Sequence, residues 1–374
     1  MSTVLVISPE PWDGHFVSKH HYACELARRG HQVLFYGPPD AAGPMRLVPV
    51  TDAPGNLRVV HAPRVAPGLR FLPNQLRRAL EARWLGQVEQ IAGQPIDVVW
   101  NFENSRFFDM RFAGQRLKIY QQVDLNQDFH PAQAAMSADI AVALNGSIVN
   151  RLRWLGVDKP VHLVSHGLTV AAEGTVAPDL PTARVNAAYI GNLGIRYLDV
   201  EAFSEVVRQH GARVLFHLFG SFDETMPLRR ALEGRDNVIW YGWQDPQAVY
   251  RHLSAMDIAM VIYRTEMDLE QISNSHKILE YLHSGAVVAS SFLLDYKERP
   301  DLIEMAPLDG SYPDLFASVL ARLDVLNTWQ QRHRRKAYSL EHTYPKKLDQ
   351  IEEIVAAQCQ DTPLTARPLT GDQT

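Results

Sequence analysis

The chain has 374 residues, of which 46% are hydrophobic and 21% are charged, and its formal net charge at pH 7 is −5. This length exceeds one ordinary domain, so we expect two, and the acidic balance argues against a nucleic-acid-binding protein, because phosphate contacts require many lysines and arginines. Two cysteines are too few for a disulfide framework, and the apolar runs are too short for a signal peptide or a membrane span, so we expect a globular cytoplasmic protein.

The first half of the chain has the pattern of alternating parallel strands and helices. TVLVIS is a continuous apolar run of strand length, VSKHHYACELARR has apolar residues at helical spacing with Gly30 behind it, and HQVLFYG is the next strand. Strands without polar alternation indicate a parallel sheet that is covered on both faces. Further strand-like runs are IDVVWNF, LKIYQQV, ADIAVALN and PVHLVSHG. The sequence therefore predicts an N-terminal α/β domain over residues 1–170.

The same pattern begins again after residues 171–184, whose proline, glycine and alanine content predicts a linker. The strand-like runs of this half are VNAAYIGN, ARVLFHLFG, NVIWYGW, DIAMVIY and AVVASSF. We predict a second α/β domain over 185–340, a last helix within 341–359 and a disordered tail at 360–374. The predicted fold class is α/β, with two doubly wound Rossmann-like domains, in which ligands bind beyond the carboxyl ends of the strands.

The segment SNSHKILEYLHSG combines a helix start with two charged residues on one face. Ser273, Asn274 and Ser275 are preferred N-cap residues, and the N-terminus of a helix attracts anions. Lys277 adds a positive charge in the first turn, and Glu280 follows on the same face. A plain surface ion pair is an equally good interpretation of these two residues alone. As a ligand site, the segment fits a nucleoside diphosphate, with the phosphates at the helix start and the ribose diol on the carboxylate.

A glycine turn, YIGNLGIRYLD, opens the second domain and strengthens the ligand interpretation. Gly191 and Gly194, on either side of the turn that contains Asn192, allow close approach of the backbone to a ligand, and Arg196 can reach phosphate oxygens. Trp243, behind the strand NVIWYGW, either belongs to the core or borders the nucleotide base. Each signal alone is weak, because such turns and surface arginines are common. Two signals at strand ends of one domain favour a common nucleotide site.

These motifs occur in an order that resembles the donor domain of glycosyltransferases of the GT-B architecture. The resemblance covers most of residues 4–295, is strongest at 187–291, and includes YIGN, the glycine-ended LFG and WYG strands, and DIAMVIY. Its most specific part is the K-x-x-E-Y-L-x-x-G-x-V-V core of NSHKILEYLHSGAVVASS.

The resemblance implies transfer of a hexose from a UDP- or GDP-type sugar donor, bound in the second domain, to a hydroxyl acceptor on the first domain across a cleft that closes. The acceptor would be a sugar, a lipid-linked molecule or another small molecule, for example in envelope polysaccharide or glycolipid assembly. The resemblance also implies that the C-terminal helix returns to the first domain, and that neither a metal nor another cofactor is needed.

One position departs from the pattern of many retaining members of this architecture. They carry a second glutamate eight residues before the ribose-binding one, where this chain has Ile272, while Glu270 lies two residues too early. Stereochemistry therefore stays open. Two alternatives to a transferase also stay open, a nucleotide-sugar 2-epimerase of the same fold and a catalytically silent binding subunit.

The loop after the first strand, WDGHF, carries the candidate catalytic base. In inverting GT-B enzymes a glycine-histidine pair at this point supplies the base, oriented by an aspartate from a later strand end. The resemblance therefore assigns these roles to His15 and Asp124. An ordinary loop histidine and a loop-capping aspartate are equally compatible with the sequence. The rival candidates are Asp13, Asp128 and His130.

The stretch 69–84 combines basic with apolar residues at helical spacing. Its basic residues are Arg70, Arg77, Arg78 and Arg83, and its large apolar residues include Phe71, Leu72, Leu76, Leu80 and Trp84. A basic amphipathic segment of this kind can lie on an anionic membrane surface, here the inner face of the membrane. An amphipathic helix packed on its own sheet has the same pattern.

Overall fold

The computed structural model describes residues 1–14, 16–40, 43–51, 53–125, 127–170, 178–272 and 275–358. The chain divides into two compact units, Met1–Gly167 with Tyr344–Thr374, and Leu168–Thr343. Each unit contains one mostly parallel sheet with a hydrophobic core on either face. The prediction of two Rossmann-like α/β domains is therefore confirmed. The predicted linker at 171–184 lies partly, and the predicted tail at 360–374 wholly, outside the described residues.

The first unit is built on an eight-stranded sheet. Its strands are β1 (Thr3–Ile7), β2 (Gln32–Tyr36), β3 (Arg46–Pro49), β4 (Leu57–His61), β5 (Val98–Asn101), β6 (Leu117–Gln122), β7 (Ile140–Ala143) and β8 (Val161–Leu163). They lie in the order β3-β4-β2-β1-β5-β6-β7-β8, and only the pairing of β3 with β4 is antiparallel.

Strand β1 shows why these sequences lack polar alternation. Leu5 and Ile7 belong to the core on one face of the sheet, Val4 and Val6 belong to the core on the other face, and all four side chains are fully buried. A strand that is covered on both faces needs apolar side chains on each of them, and therefore at successive positions.

Helices cover both faces of the first sheet. They are α1 (Ser18–Arg28), α2 (Asn74–Ala92), α3 (Pro131–Ser137), α4 (Gly146–Trp154), the C-terminal helix Tyr344–Gln358, and the 3-10 helices Leu69–Phe71 and Met110–Ala113. The C-terminal helix contacts α1, and its Leu348, Ile351 and Val355 are fully buried in the same core as Val4. Arg29, at the end of α1, also pairs with carboxylates of this helix at 2.8 Å.

The second unit contains a six-stranded, entirely parallel sheet. Its strands are β9 (Val185–Ile190), β10 (Val214–Phe219), β11 (Val238–Gly242), β12 (Ile258–Val261), β13 (Val287–Ser290) and β14 (Ile303–Met305). The order is β11-β10-β9-β12-β13-β14, so the chain proceeds outward in one direction from β9 and then in the other from β12. Such a switch point opens a crevice at the carboxyl ends of the two strands, where ligands bind in this class of fold.

The helices of the second unit complete the chain order. They are α5 (Val200–Gln209), α6 (Pro227–Ala231), α7 (Pro246–Ser254), α8 (Leu269–Ile272), α9 (Lys277–Ser284), α10 (Tyr312–Ala321), α11 (Leu323–Leu326) and α12 (Trp329–Leu340), with a 3-10 helix at Leu294–Tyr296. The C-terminal helix is therefore α13. Across the described residues, no helix has the combined length and apolar content that crossing a bilayer requires.

Candidate functional site

Helix α9 is fastened to both strands of the switch point through one tyrosine. The fully buried Tyr281 hydroxyl accepts a hydrogen bond from the Ile190 backbone N–H at 2.8 Å and donates one to the Met260 carbonyl at 3.3 Å. These bonds join α9 to the end of β9 and to β12. The start of α9 is thereby fixed at the carboxyl edge of the sheet, between the two strands.

The first residue of α9 is Lys277, with His276 as its N-cap, so the helix begins later than the predicted cap residues indicate. Ser275 lies in the preceding turn, where its carbonyl accepts a hydrogen bond from the Ile278 N–H at 3.2 Å. Asn274, the other predicted donor-binding residue of this turn, lies outside the described residues.

Lys277 is buried, whereas the sequence favours an accessible cation at the helix start. Its Nζ donates to the Ile190 carbonyl at 3.1 Å and lies 4.3 Å from the ring centroid of Tyr189 and 4.8 Å from that of Tyr263. The side chain is only 5% exposed. Two aromatic faces and one carbonyl therefore replace water around this ammonium group.

Burial lowers the pKa of Lys277 to about 7, while the nearby carboxylate of Glu280 acts to raise it. Within the described residues Lys277 and Glu280 form no ion pair closer than 4.0 Å, so the surface-pair interpretation is wrong. The Lys277 amine at this edge takes up a proton most readily when an anion arrives to pair with it.

The glycine turn after β9 lies against Lys277. Gly191 has φ +136°, and a Cβ there would lie 3.5 Å from the Lys277 Nζ. The neighbouring Gly220, after β10, has φ +147°, and a Cβ on it would lie 1.9 Å from the Gly191 carbonyl oxygen. Only glycine fits at position 220, because that distance is far below any van der Waals contact. The two turns form one close-packed backbone edge beside the ammonium group.

The other predicted donor-binding residues lie on the exposed side of this edge. The Asn192 Oδ1 accepts from the Gly194 N–H at 2.9 Å, which closes the turn after β9. The Arg196 side chain is 69% exposed, with its guanidinium 3.9 Å from the Asp268 carboxylate. Trp243 is 61% exposed, which excludes the core interpretation.

Ile272 stands where many retaining members of the GT-B architecture carry their second glutamate, and it offers no carboxylate. Ile272 is buried in the apolar core at the end of α8, whereas Glu270 is exposed.

The candidate catalytic residues of the first unit lie along the carboxyl edge of its own sheet. His15 lies outside the described residues. Asp13 is exposed beyond β1 and lines a cavity, and Asp124 is exposed beyond β6. The Asp124 carbonyl accepts hydrogen bonds from Gln122 Nε2 at 3.1 Å and from the Gln127 N–H at 3.3 Å. Since β5 separates β1 from β6, the two strand ends lie about 10 Å apart.

The other two rival candidates, Asp128 and His130, have structural partners. Asp128 forms an ion pair with Arg151. The His130 ring stacks on Phe108 with 4.1 Å between centroids, and burial, followed by the charge of Arg77, lowers its pKa.

The predicted basic segment at 69–84 contains one arginine that is not on the surface. Arg77 is 2% exposed, lies over the Phe108 ring at 4.0 Å, and approaches the Asp109 carboxylate at 3.4 Å. The buried Asp109 attracts this side chain into the protein, so including Arg77 in a membrane-facing surface is wrong. Phe71 and Leu76 are 77% and 49% exposed, and the Arg70 guanidinium lies 4.8 Å from the Phe71 ring centroid.

Three tyrosines build the lysine pocket, and sequence reasoning assigned none of them a role. Tyr189 and Tyr263 provide the ring faces, share a hydrogen bond, and stand at the ends of buried strands, while Tyr281 anchors α9. The Tyr263 hydroxyl also bonds to the Ser275 side chain, and burial raises its pKa to about 12. The sequence does contain a signal for Tyr189 and Tyr263, because each is a tyrosine near the end of an otherwise aliphatic strand, in NAAYIG and IAMVIY.

Among the residues that the structure describes, no group of three or more His, Cys, Asp or Glu side chains is arranged to hold a metal ion.

No family model and no curated protein matches this sequence significantly. Solved structures do match its fold over nearly the whole chain. Sucrose-phosphate synthase from Thermosynechococcus elongatus is 14% identical over 96% of this chain and 100% of that chain, with a TM-score of 0.66. The lipopolysaccharide outer core galactosyltransferase WaaB is 14% identical over 94% and 99%, with a TM-score of 0.64.

A third structure, of trehalose-6-phosphate from E. coli bound with UDP-2-fluoro glucose, is 10% identical over 96% of this chain and 99% of that chain, with a TM-score of 0.62. At these identities the likeness concerns the fold. The chain therefore has the two-domain α/β fold that the GT-B glycosyltransferases share.

Proposed function

We propose that the protein is a glycosyltransferase that moves a sugar from a nucleoside-diphosphate donor to a hydroxyl acceptor. The observation that carries this proposal is the buried Lys277, held at the switch point of the second sheet beside the Gly191 turn, with Glu280 one turn further along α9. Structures of similar fold include a galactosyltransferase and a complex with a UDP-sugar, which favours a UDP-type hexose donor. No observation favours the epimerase or the silent subunit.

The residues of the second unit have distinct roles in this proposal. The diphosphate draws a proton onto Lys277 and is held there by charge, with the exposed Arg196 as a second cation. Glu280 accepts hydrogen bonds from the two ribose hydroxyls. The backbone of the Gly191–Asn192 turn and the segment Asn274–Ser275 border the phosphates, and Trp243 stacks on the base.

The chemical step requires a base that removes the proton of the acceptor hydroxyl as its oxygen attacks the anomeric carbon, whose bond to the β-phosphate oxygen breaks and releases the nucleoside diphosphate. We assign this role to His15, oriented by Asp124, with Asp13 as the alternative base. An imidazole has an ordinary pKa of about 6.5, which suits proton transfer at neutral pH. His15→Ala is expected to lower turnover at least a hundredfold while leaving nucleotide affinity largely unchanged. If His15→Ala kept near-normal turnover, or if the product had retained configuration, the leading candidates would become Asp13 and Asp124 acting alone.

The nucleotide site is tested by thermal unfolding of the wild type with UDP, GDP and ADP. A ligand at a hundredfold excess over its Kd stabilises the folded protein by about 2.7 kcal/mol. We expect UDP or GDP to raise the melting temperature and Glu280→Ala to remove most of that increase. Glu270→Ala changes an exposed glutamate of the same unit and serves as the control, with an unchanged response. A wild type that responds to none of these nucleotides would refute the donor site.

A finer part of the proposal is that no resident metal takes part in the reaction, so turnover in the presence of EDTA should equal turnover in its absence.

A second finer part of the proposal is that the first unit contacts the inner face of an anionic membrane. A lipid-linked acceptor in envelope polysaccharide or glycolipid assembly would require this contact. The exposed Phe71 and Leu76 beside Arg70 support this contact. We expect the protein to co-sediment with vesicles containing phosphatidylglycerol and Phe71→Ser to weaken the binding. Equal binding to neutral vesicles would contradict the role of charge.

A further inference from the structure

A groove of about 490 Å³ runs along the exposed side of α2 in the first unit. Its opposite wall is formed by residues 43–45, which lead into β3, and residues 63–65, which follow β4. The β3–β4 pair is the outer end of the sheet. We call this feature the α2 groove. None of the candidate catalytic residues that the structure describes lies in its wall, so the groove is separate from the proposed chemistry.

The lining of the α2 groove is mostly aliphatic. Met45 and Val65 are partly buried and pack against the core of the first unit. Leu80 and Ile91 lie about three turns apart along α2, and Ile91 is 36% exposed. Trp84 is only 3% exposed and offers no open ring face. A surface of this kind suits an alkyl chain better than a sugar, which would need an exposed aromatic ring or many polar groups.

Two arginines, Arg64 and Arg83, provide the charge of the α2 groove. Both are exposed, and no described carboxylate lies within 4.0 Å of either guanidinium. The sequence has no acidic residue between positions 62 and 80. The two guanidinium groups are therefore available to an anion.

The charged groups around the groove do not cancel these two arginines. Glu89 is paired with Arg116 at 2.6 Å, and Asp40 lies 4.0 Å from the half-exposed Arg46. Glu81 is fully buried on the inner side of α2, where burial raises its pKa to about 8, so it carries little charge at neutral pH. The groove is therefore a positive site on a chain whose net charge is −5.

The α2 groove continues the exposed apolar stripe at the start of α2. Leu76, which is 49% exposed, precedes Leu80 by one helical turn, and Arg83 follows Leu80 by another. Arg70 and Phe71 lie just before the helix. The stripe that is proposed to contact the membrane therefore leads along α2 into the groove.

We propose that the α2 groove binds one anionic phospholipid of the membrane surface, with its phosphate held by Arg64 and Arg83 and part of an acyl chain on the aliphatic lining. Guanidinium groups bind phosphate oxygens through charge-assisted hydrogen bonds, and the volume is within the range of small-molecule sites. The inference deepens the membrane contact of the proposed function and rests on it for the source of the lipid.

The test uses the full-length protein and three soluble probes, each below the concentration at which it aggregates. Dihexanoylphosphatidic acid has a phosphate and acyl chains, dihexanoylglycerol has the same chains without the phosphate, and glycerol 3-phosphate has the phosphate without the chains. Saturation-transfer NMR titration measures the affinity of each probe. We expect dihexanoylphosphatidic acid to bind more tightly than either of the others by about tenfold or more, because hydrogen bonds to charged groups contribute that much.

Three results with these probes would overturn the proposal. One is failure of dihexanoylphosphatidic acid to bind. Another is equal affinity for dihexanoylglycerol, because the arginines would then play no part. The third is equal affinity for glycerol 3-phosphate, because the site would then be one for free phosphate and not for a lipid.

Substitutions locate the binding. Arg64→Gln and Arg83→Gln should each weaken dihexanoylphosphatidic acid by about fivefold or more. The control is Arg153→Gln, at an exposed arginine of the same unit outside the groove, and it should leave the affinity unchanged. Ile91→Ser alters a side chain that is already partly exposed, and it should weaken the lipid with little change in melting temperature. If both groove arginines can be replaced without loss, or if Arg153→Gln causes an equal loss, the lipid does not bind in the α2 groove.

Failure of the proposed function is seen in other assays. The donor site is measured by the melting response of the second unit to UDP or GDP, and the membrane contact by co-sedimentation with vesicles. A protein that binds anionic vesicles but not soluble dihexanoylphosphatidic acid contacts the membrane through general surface charge, which overturns the lipid site alone. A protein that binds the soluble lipid but no vesicles has the lipid site and lacks the membrane contact.

Discussion

Replacing Lys277 by methionine separates the free-energy cost of a buried ammonium group from its role in binding. Burial lowers the pKa of Lys277 from 10.5 to about 7. A difference of this size corresponds to about 5 kcal/mol of lost folding stability when the group is charged. Methionine has a similar length and no charge, so Lys277→Met is expected to be more stable than the wild type by about 4 to 5 kcal/mol at pH 6.5.

The advantage of the methionine variant must depend on pH in a defined direction. Between pH 7 and 10.5 the unfolded wild type binds more protons at Lys277 than the folded wild type does, so wild-type stability rises with pH there. The methionine variant has no such contribution. The difference in unfolding free energy between the two proteins should therefore shrink by about 2 kcal/mol between pH 6.5 and pH 9.

Urea unfolding of the two proteins at pH 6.5, 7.5 and 9 measures this difference. The control is Lys297→Met, which removes an exposed lysine of the same unit and should show no comparable pH dependence. A difference that stays constant across this range would show that the Lys277 ammonium is not desolvated in the folded protein. The same conclusion would follow if Lys277→Met were the less stable protein at pH 6.5.

Three further predictions concern the donor site and the core of the first unit. Binding of UDP or GDP at pH 8 should be accompanied by uptake of close to one proton, because the diphosphate restores the charge of Lys277. Calorimetry in buffers of different ionisation enthalpy measures this uptake. Binding without proton uptake would contradict the role of Lys277 in holding the diphosphate. In Gly220→Ala the new Cβ would clash with the Gly191 carbonyl, so this variant should be less stable and should lose the rise in melting temperature with UDP or GDP. The control is Gly86→Ala, at a helical glycine with open space around it. In thermal unfolding this control should be as stable as the wild type or more stable by up to about 1 kcal/mol. Burial raises the pKa of Glu81 to about 8, so the contribution of Glu81 to folding stability falls as the pH rises from 4.5 to 8. The melting temperature of Glu81→Gln minus that of the wild type should therefore increase between pH 5 and 8.5. A decrease of this difference over the same range would refute the prediction.

Strands that are buried on both faces could be predicted from the sequence because nearly all of their residues are apolar. β1 and β12 are examples, since all of their residues are buried. The strands β3, β4 and β14 have no counterpart among the predicted strands. β3 is a partly exposed edge strand that ends at Pro49, and β14 has only three residues. Strands of this kind are specified by pairing with their neighbours, which a local pattern does not contain.

The location of the proposed donor site could be predicted from the sequence, but the surroundings of Lys277 could not. The capping residues, Lys277 and the Gly191 turn point to strand ends of one domain, and the structure brings Lys277 and Gly191 together. Burial of the lysine depends on Tyr189 and Tyr263, which lie far from it in the chain. The prediction that Arg77 belongs to a membrane-facing surface was wrong for a similar reason. Its partner Asp109 is distant in the sequence and approaches Arg77 only in the folded unit.

The position of α13 has a consequence for how the chain folds during synthesis. This helix completes a core of the first unit with Leu348, Ile351 and Val355, yet all of Leu168–Thr343 is translated before it. The apolar face of β1 and α1 that these side chains cover therefore has no permanent cover while the second unit emerges from the ribosome. Domains tend to fold in the order in which they are made, but here the first unit is the last to be finished. A chain that stops at Thr343 would leave that face exposed, so late truncation should impair the first unit more than the second.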